Sequence, residues 1–313
     1  MIYNILCSTD DNYIPYCGIM LTSLFESNKE KTFNVYIQCG NINDNNRSIL
    51  KEMERRYDNK IIIINVEGKD LPDCPIRQGD HVSIAAYYRL FAPKILPKDI
   101  DKILYLDCDI IVNGNIDDLY AQDIDDYAYG AVIDEDNENL EKHLRLGFGA
   151  EKPYINSGVL LMNLKYWREN NVTERCFKYI AENPENVILH DQDTLNAVLN
   201  NEVLLLPLRF NLQTAMLYRN TVLSTRTKYE VEAIKFTPTI IHFTGVGKPW
   251  YKGSLHPYTK RFLHYKKLSL WKEFPLLENK RTFCETLLYF RNSIIWAIGL
   301  KKRPQTYIIE KQD

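Results

Sequence analysis

The chain has 313 residues, of which 45% are hydrophobic and 26% charged, enough to bury one large core or two modest ones. A formal charge of −2 provides no broad basic surface for nucleic acid. Seven scattered cysteines without a Cys-x-x-Cys pair fit reduced thiols in a cytosol better than a disulfide framework or a zinc site; Met1-Ile-Tyr-Asn-Ile does not read as a signal peptide, and no run of about 18 apolar residues would span a membrane.

Strand and helix signals alternate along the chain. Ile2–Cys7 reads as a short apolar strand that breaks into the polar Ser8-Thr-Asp-Asp-Asn-Tyr13. Pro15, favoured in a first helical turn, opens a helix with Ile19, Met20 and Leu24 at helical spacing. Phe33–Cys39 reads as a strand, Asp44–Tyr57 as a charged helix, and Lys60–Val66 as a buried strand built on four consecutive isoleucines. Ser83–Phe91 reads as a helix stopped at Pro93, while Ile103–Leu106, Tyr129–Ile133 and Gly158–Leu164 read as further strands. The alternation predicts an α/β fold with a mostly parallel sheet flanked by helices. In such sheets ligands sit beyond the carboxyl ends of the strands, where Asp10, Asp11, Asp107, Asp109 and Asp134 all fall. No repeat, low-complexity segment or linker divides residues 1–270.

The run Lys102-Ile-Leu-Tyr-Leu-Asp107-Cys-Asp109-Ile-Ile-Val112 carries the sharpest chemical signal. Residues two apart in an extended chain point to the same side, so the two carboxylates are expected to converge at a strand edge. Two desolvated acids facing each other repel unless a cation neutralises them, and a hard divalent metal is the economical answer. By the same logic, removing either acid should relieve repulsion in the metal-free protein. Other Asp-x-Asp copies, such as Asp123/Asp125 and Asp191/Asp193, lack flanking apolar runs on both sides.

Three more segments are notable for their residue types. In Ile240-Ile-His242-Phe-Thr-Gly245-Val-Gly247-Lys248-Pro-Trp250 a strand ends in a histidine and enters a glycine turn with a lysine. Such glycines let a backbone approach a phosphate, the lysine adds charge, and the histidine is either a metal ligand or structural. Leu189-His190-Asp191-Gln192-Asp193-Thr194 opens a helix, so its acids serve either capping or a site. Tyr154-Ile-Asn156-Ser157-Gly158 is either a turn or a sugar-hydroxyl contact.

Taken in order, Ser8-Thr-Asp-Asp-Asn-Tyr13, His81-Val-Ser-Ile-Ala-Ala-Tyr-Tyr-Arg89, Leu104-Tyr-Leu-Asp107-Cys-Asp109, Asn156-Ser-Gly-Val-Leu-Leu-Met-Asn-Leu164, Asp191-Gln-Asp193 and His242-Phe-Thr-Gly-Val-Gly-Lys-Pro-Trp250 resemble glycosyltransferase family 8. This is the retaining GT-A family of the bacterial lipooligosaccharide α-galactosyltransferases, with glycogenin as a eukaryotic relative, and the resemblance covers about residues 2–270. It implies a Rossmann-like GT-A catalytic domain over 1–270. It also implies that Asp107, Asp109 and His242 ligate Mn2+ (or Mg2+) on the diphosphate of a UDP-hexose. By the same resemblance Ser8, Asp10, Asn12 and Tyr13 form a uridine pocket, with His81, Val82 and Cys108 near the nucleotide. Gly245, Gly247 and Lys248 would cradle the diphosphate; Arg89, Asp134, Asn156, Ser157, Asp191 and Gln192 would surround the donor sugar, with Gln192, Asp191 and Asp134 as the catalytic set. The group matching a retaining enzyme's nucleophile is Gln192, an amide, which fits a same-face internal return better than double displacement. The acceptor would be a glycan or glycolipid, as in lipopolysaccharide or capsule synthesis.

Beyond 278 the composition shifts. Residues 279–313 carry a net charge of +4 against −6 for the rest, and Phe283, Leu287, Phe290, Ile294 and Ile298 form one helical stripe. This predicts a basic, aromatic tail over 271–313 that either lies on the anionic inner membrane surface, making a cytoplasmic protein peripheral, or packs on the domain. Two alternatives to a transferase are a sugar nucleotidyltransferase, whose Gly-rich basic N-terminal loop is missing here, and a carbohydrate-binding protein that kept the fold without turnover.

Overall fold

The computed structural model describes residues 2–66, 74–75, 84–218, 221–245, 247–278 and 291. His81, Val82 and the tail helix expected over 280–303 lie outside the described residues, Arg291 excepted. In chain order the elements are β1 (Ile2–Thr9), α1 (Ile14–Glu26), β2 (Thr32–Cys39), α2 (Asp44–Tyr57), β3 (Lys60–Asn65), α3 (Tyr88–Ile95), β4 (Lys102–Leu106), β5 (Ile110–Val112), α4 (Asp117–Tyr120) and β6 (Tyr129–Ile133). The second half adds α5 (Leu140–Leu146), β7 (Ile155–Asn163), α6 (Leu164–Glu169), α7 (Val172–Glu182), α8 (His190–Leu199), β8 (Val203–Leu205), β9 (Leu212–Gln213), α9 (Thr225–Ile234), β10 (Ile240–His242) and α10 (Thr259–Leu268).

A seven-stranded sheet runs in the order β3-β2-β1-β4-β7-β6-β8. Strands β3, β2, β1 and β4 run parallel to one another, as do β6 and β8, while β7 is antiparallel to both β4 and β6. The mostly parallel α/β sheet expected from the alternation is therefore present, with one reversed strand inside it. Both faces are covered, and the strand period of two divides the side chains between them. Ile5, Cys7, Leu104, Leu106, Val159 and Leu161 enter one core, whereas Leu6, Ile103, Tyr105, Leu160 and Met162 enter the other. The packed chain continues past α10: Trp271 is 4% exposed against the first core, and a Cβ on Gly18 would lie 2.0 Å from its ring.

The reversal of β7 decides where the site forms. Because β7 runs against β4 and β6, its amino end, Ile155–Gly158, lies at the same edge as the carboxyl ends of β1, β4 and β6. There Leu106 pairs with Val159, Ile133 pairs with Ile155, and Asp107 N donates to Gly158 O at 2.9 Å. A second, three-stranded sheet, β5-β10-β9, stands beside this edge and sets His242 opposite Ile110, one residue after Asp109.

Three local expectations are corrected. The strand read as buried on its four isoleucines is β3, which stands at the edge of the sheet with one side unpaired, so Ile61 to Ile64 are half-buried and Lys60 and Asn65 exposed. The helix read as stopped by Pro93 runs through it to Ile95, a proline tolerated because the helix ends within a turn of the bond it lacks. Asp107, Cys108 and Asp109 are not an extended segment but the turn that leads from β4 in one sheet to β5 in the other.

Candidate active site

The edge opens into a cavity of about 750 Å3. At one end β1 delivers Ser8 and Asp10. Asp10 Oδ1 accepts the backbone N–H of Asn12 at 3.0 Å and of Tyr13 at 3.2 Å, a local turn that fixes the entry into α1. Ser8, Asp10, Tyr13 and Cys108 line the cavity, and the Cys108 thiol donates to Ser8 O at 3.6 Å. Asn12 is exposed and lies outside the lining, as does Gly247. Gly245 lines it at a φ of 67°, a left-handed backbone that suits glycine.

The centre is built by Asp107, Asp109 and His242, whose ligating atoms all lie within 4.8 Å of one another. His242 Nε2 stands 3.2 Å from Asp109 Oδ1 and 3.8 Å from Asp107 Oδ2. The acids do not face each other uncompensated. Asp109 Oδ2 pairs with Lys248 Nζ at 2.6 Å, and Lys248 also donates to Phe243 O. Asp107 Oδ1 takes Arg89 Nη2 at 2.9 Å and the Tyr105 hydroxyl at 2.7 Å. Burial alone would raise the Asp109 pKa, but Lys248 and His242 outweigh it and hold the carboxyl well below the usual range. Burial pushes the His242 ring down, and the aspartates reverse this, leaving it raised. The expectation that deleting either acid would relieve repulsion is thereby overturned for Asp109: each acid already has its own cation.

These residues fit a hard divalent ion. The donors are carboxylate oxygens and one imidazole, suited to Mn2+ or Mg2+ rather than a thiolate-seeking metal. Gly158 keeps the space clear, since a Cβ there would lie 2.2 Å from His242 Cε1 and 2.7 Å from Asp107 Oδ2. Gly158→Ala is accordingly expected to cost about 1–3 kcal/mol of stability from overpacking. It should also weaken Mn2+ uptake, read by thermal melts and a metal titration. Unchanged binding would show that the site can expand.

Opposite the acids, α8 opens with His190 in the left-handed region at a φ of 50°, and its first turn carries Asp191 and Gln192. The Gln192 amide is held on both atoms. Its Nε2 donates to Asp134 Oδ2 at 3.1 Å and to the Tyr154 hydroxyl at 3.2 Å, and its Oε1 accepts from Asn156 Nδ2 at 3.2 Å and Ser157 N at 3.1 Å. Asp191 is buried, with Oδ2 3.1 Å from Arg89 Nε; burial raises its pKa to about 6, against the pull of Arg89. Arg89 also donates to Ser157 O at 2.6 Å and lies over the Tyr105 ring, so one guanidinium ties α3 to β4, β7 and α8.

Asp107, Asp109, His242, Lys248, Arg89, Asp134, Asn156, Ser157, Asp191 and Gln192 thus gather at one cavity with Ser8, Asp10, Tyr13, Cys108 and Gly245. Several participants carry no sequence signal. Lys142 on α5 reaches Asp136 at 3.0 Å and Asp134 at 3.4 Å. Glu135 accepts the Thr244 hydroxyl and Ala215 N, each at 2.7 Å, and burial raises its pKa with Asp134 adding to the effect. Asn211 sits wholly buried behind His242. Only Glu135 had a hint, the acidic run Asp134-Glu135-Asp136.

The family model for glycosyl transferase family 8 matches residues 4–253. The chain is 30% identical over 275 residues to general stress protein A of Bacillus subtilis, covering 86% of this chain and 95% of that protein. It is 26% identical over 280 residues to a lipopolysaccharide 1,2-glucosyltransferase of Escherichia coli, covering 87% and 80%. Among solved structures it is similar to the galactosyltransferase LgtC in complex with donor and acceptor sugar analogs, with a TM-score of 0.77 and 25% identity over 85% of this chain and 96% of that one.

Proposed function

Given that the chain belongs to glycosyltransferase family 8, we propose that it is a metal-dependent, retaining hexosyltransferase. It takes glucose or galactose from a UDP-sugar and builds lipopolysaccharide or another surface glycan, the acceptor class named for its Escherichia coli relative. The observation that carries the reading is the meeting of Asp107, Asp109 and His242 within 4.8 Å, in a cavity that also holds Lys248, Arg89 and Gln192.

Asp107, Asp109 and His242 would hold a divalent ion, which when bound would supply Lewis-acid neutralisation of a diphosphate leaving group. The remaining work falls to the chain. Lys248, 2.6 Å from Asp109, brings a second positive charge to the same spot and can turn to a phosphate oxygen. Asp10 and Ser8 offer acceptors for a nucleobase, and Tyr13 a ring to stack on it. Asp191, Asp134 and Arg89 offer charged partners to sugar hydroxyls. Breaking the anomeric bond leaves positive character on the sugar, and Gln192, whose amide is pinned at both ends, presents a dipole rather than a nucleophile. That favours internal return on one face, with the acceptor proton passing to the departing phosphate.

The reading is tested with a panel of UDP-sugars, following UDP release with and without Mn2+. Metal-dependent hydrolysis of UDP-glucose or UDP-galactose is the expected result; uptake of UDP-sugar without any release would favour a binding protein. No acceptor is needed.

We further propose that the catalytic domain, read from the sequence as 1–270, runs on through the buried Trp271 to Leu277, which bonds Trp250 and Lys252, and that the protein sits peripherally on the cytoplasmic face of the membrane through the chain beyond it. Among the described residues no helix is long and apolar enough to cross a membrane. Support comes from α10, whose Lys260, Arg261, Leu263 and Lys267 are exposed, and from the absence of any acidic residue between Lys252 and Lys272. Deleting 279–313 should leave UDP-sugar hydrolysis nearly intact and sharply reduce sedimentation with anionic vesicles, which salt should also weaken. Full vesicle binding by the truncated protein would remove the tail from this role.

A further inference from the structure

Asp134 is an acceptor and cannot donate, and this fixes a series of amide orientations reaching to the metal site. Asp134 Oδ2 lies 3.1 Å from Asn156 Nδ2, so the Asn156 amide must turn its NH2 toward Asp134 and its oxygen the other way. That oxygen accepts from Gly158 N at 3.0 Å and from Asn211 Nδ2 at 2.8 Å. Asn211 is in turn obliged to aim its Oδ1 at His242 Nδ1, 3.0 Å away. An amide oxygen can only accept, so the proton on that side of the ring belongs to Nδ1. Nε2 is then the nitrogen that faces the space shared by Asp107 and Asp109, 3.2 Å from Asp109 Oδ1. Asn211 is 0% exposed and touches neither the cavity nor the reacting groups.

We propose that Asn211 is a positioning residue that sets the His242 ring for a divalent cation and locks it to Asn156, which also holds the Gln192 oxygen. A histidine that ligates a metal is oriented and made more basic by the partner of its other nitrogen, and loss of such partners weakens metal binding by about 10–100-fold. The assignment rests on the metal reading above but makes separate demands.

Two variants divide its roles. Asn211→Leu removes both bonds; Asn211→Asp keeps the acceptor for His242 Nδ1 and sets an oxygen against Asn156 Oδ1. Free Mn2+ is followed by electron paramagnetic resonance during titration of wild type and both variants with UDP present, beside circular dichroism melts and UDP-sugar hydrolysis. The leucine variant should bind Mn2+ about 10–100-fold more weakly while folded. The aspartate variant should keep its Mn2+ affinity and lose kcat, a split that simple destabilisation does not produce. A folded leucine variant with wild-type affinity, or an aspartate variant that loses metal as the leucine one does, overturns the assignment. If wild type takes up no Mn2+, the metal reading fails. The ring-nitrogen NMR shifts of His242 then decide the assignment alone, and an Nδ1 shift unmoved by Asn211→Leu overturns it.

Discussion

Asp109→Ala is expected to abolish Mn2+-dependent turnover and to lower the stability of the metal-free protein at the same time. The first effect follows from losing one carboxylate of a set of three ligands. The second follows from what Asp109 neutralises: Lys248 Nζ at 2.6 Å and His242 Nε2 at 3.2 Å are left with one acid fewer. Removing one partner of a buried pair costs roughly 3 kcal/mol at the low end, and with side-chain exposures of 15% and 19% the low end applies. Asp107→Ala should be equally inactive but gentler on stability, since Arg89 keeps Asp191 and the Ser157 carbonyl. His242→Ala should lose metal while removing a competitor of Lys248 for Asp109. Thermal melts in EDTA, beside Mn2+-dependent UDP release, check all three. Full activity in metal-stripped protein would remove the metal from the mechanism, and an Asp109→Ala protein that melts higher than wild type would restore the idea of mutual repulsion.

The same pair has a pH signature. The folded Asp109 pKa is lowered, so its contribution is present above the ordinary carboxylate pKa near 3.8 and is lost as pH falls below it. The acid limb of unfolding should therefore shrink in Asp109→Ala relative to wild type, most clearly below about pH 4.

How much of this was legible in the sequence depends on which physical rule fixed each feature. Local pattern did well where one segment determines its own structure. The charged amphipathic run Asp44–Tyr57 is α2 to the residue, and β6 spans Tyr129–Ile133 as expected. Direction within the sheet was not legible for β7. All nine of its residues are buried, and a strand covered on both faces reads as an unbroken apolar run whichever way it points. Yet that direction brings Asn156, Ser157 and Gly158 to the edge holding Asp107 and Asp134. Convergence of the two aspartates was expected for the wrong local reason, extended geometry, when a turn and the β5–β10 pairing produce it. Asn211 and Lys142 had no signal, because an asparagine in a short strand–turn region and a lysine on a brief helix are ordinary there. Their roles arise from contacts across 31 and 8 residues of chain respectively.

Gln192→Ala should lower kcat far more than it weakens UDP binding. The bonds the amide makes go to Asp134, Tyr154, Asn156 and Ser157, with none to Ser8, Asp10 or Tyr13. Removing a preorganised dipole from a site where charge develops typically costs about 10²–10³ in kcat, and the freed Asp134 and Asn156 add disorder at the same face. UDP affinity, measured calorimetrically with Mn2+, should move only a few-fold. Asp10→Ala should do the reverse, weakening UDP first, since Asp10 lines the opposite end and its Oδ1 also holds the Asn12–Tyr13 turn. The double contrast separates the two pockets without knowledge of the acceptor. Were Gln192→Ala to lose UDP selectively while turning over normally at saturation, the amide would belong to the nucleotide pocket, and internal return would lose the group proposed to steady the cation.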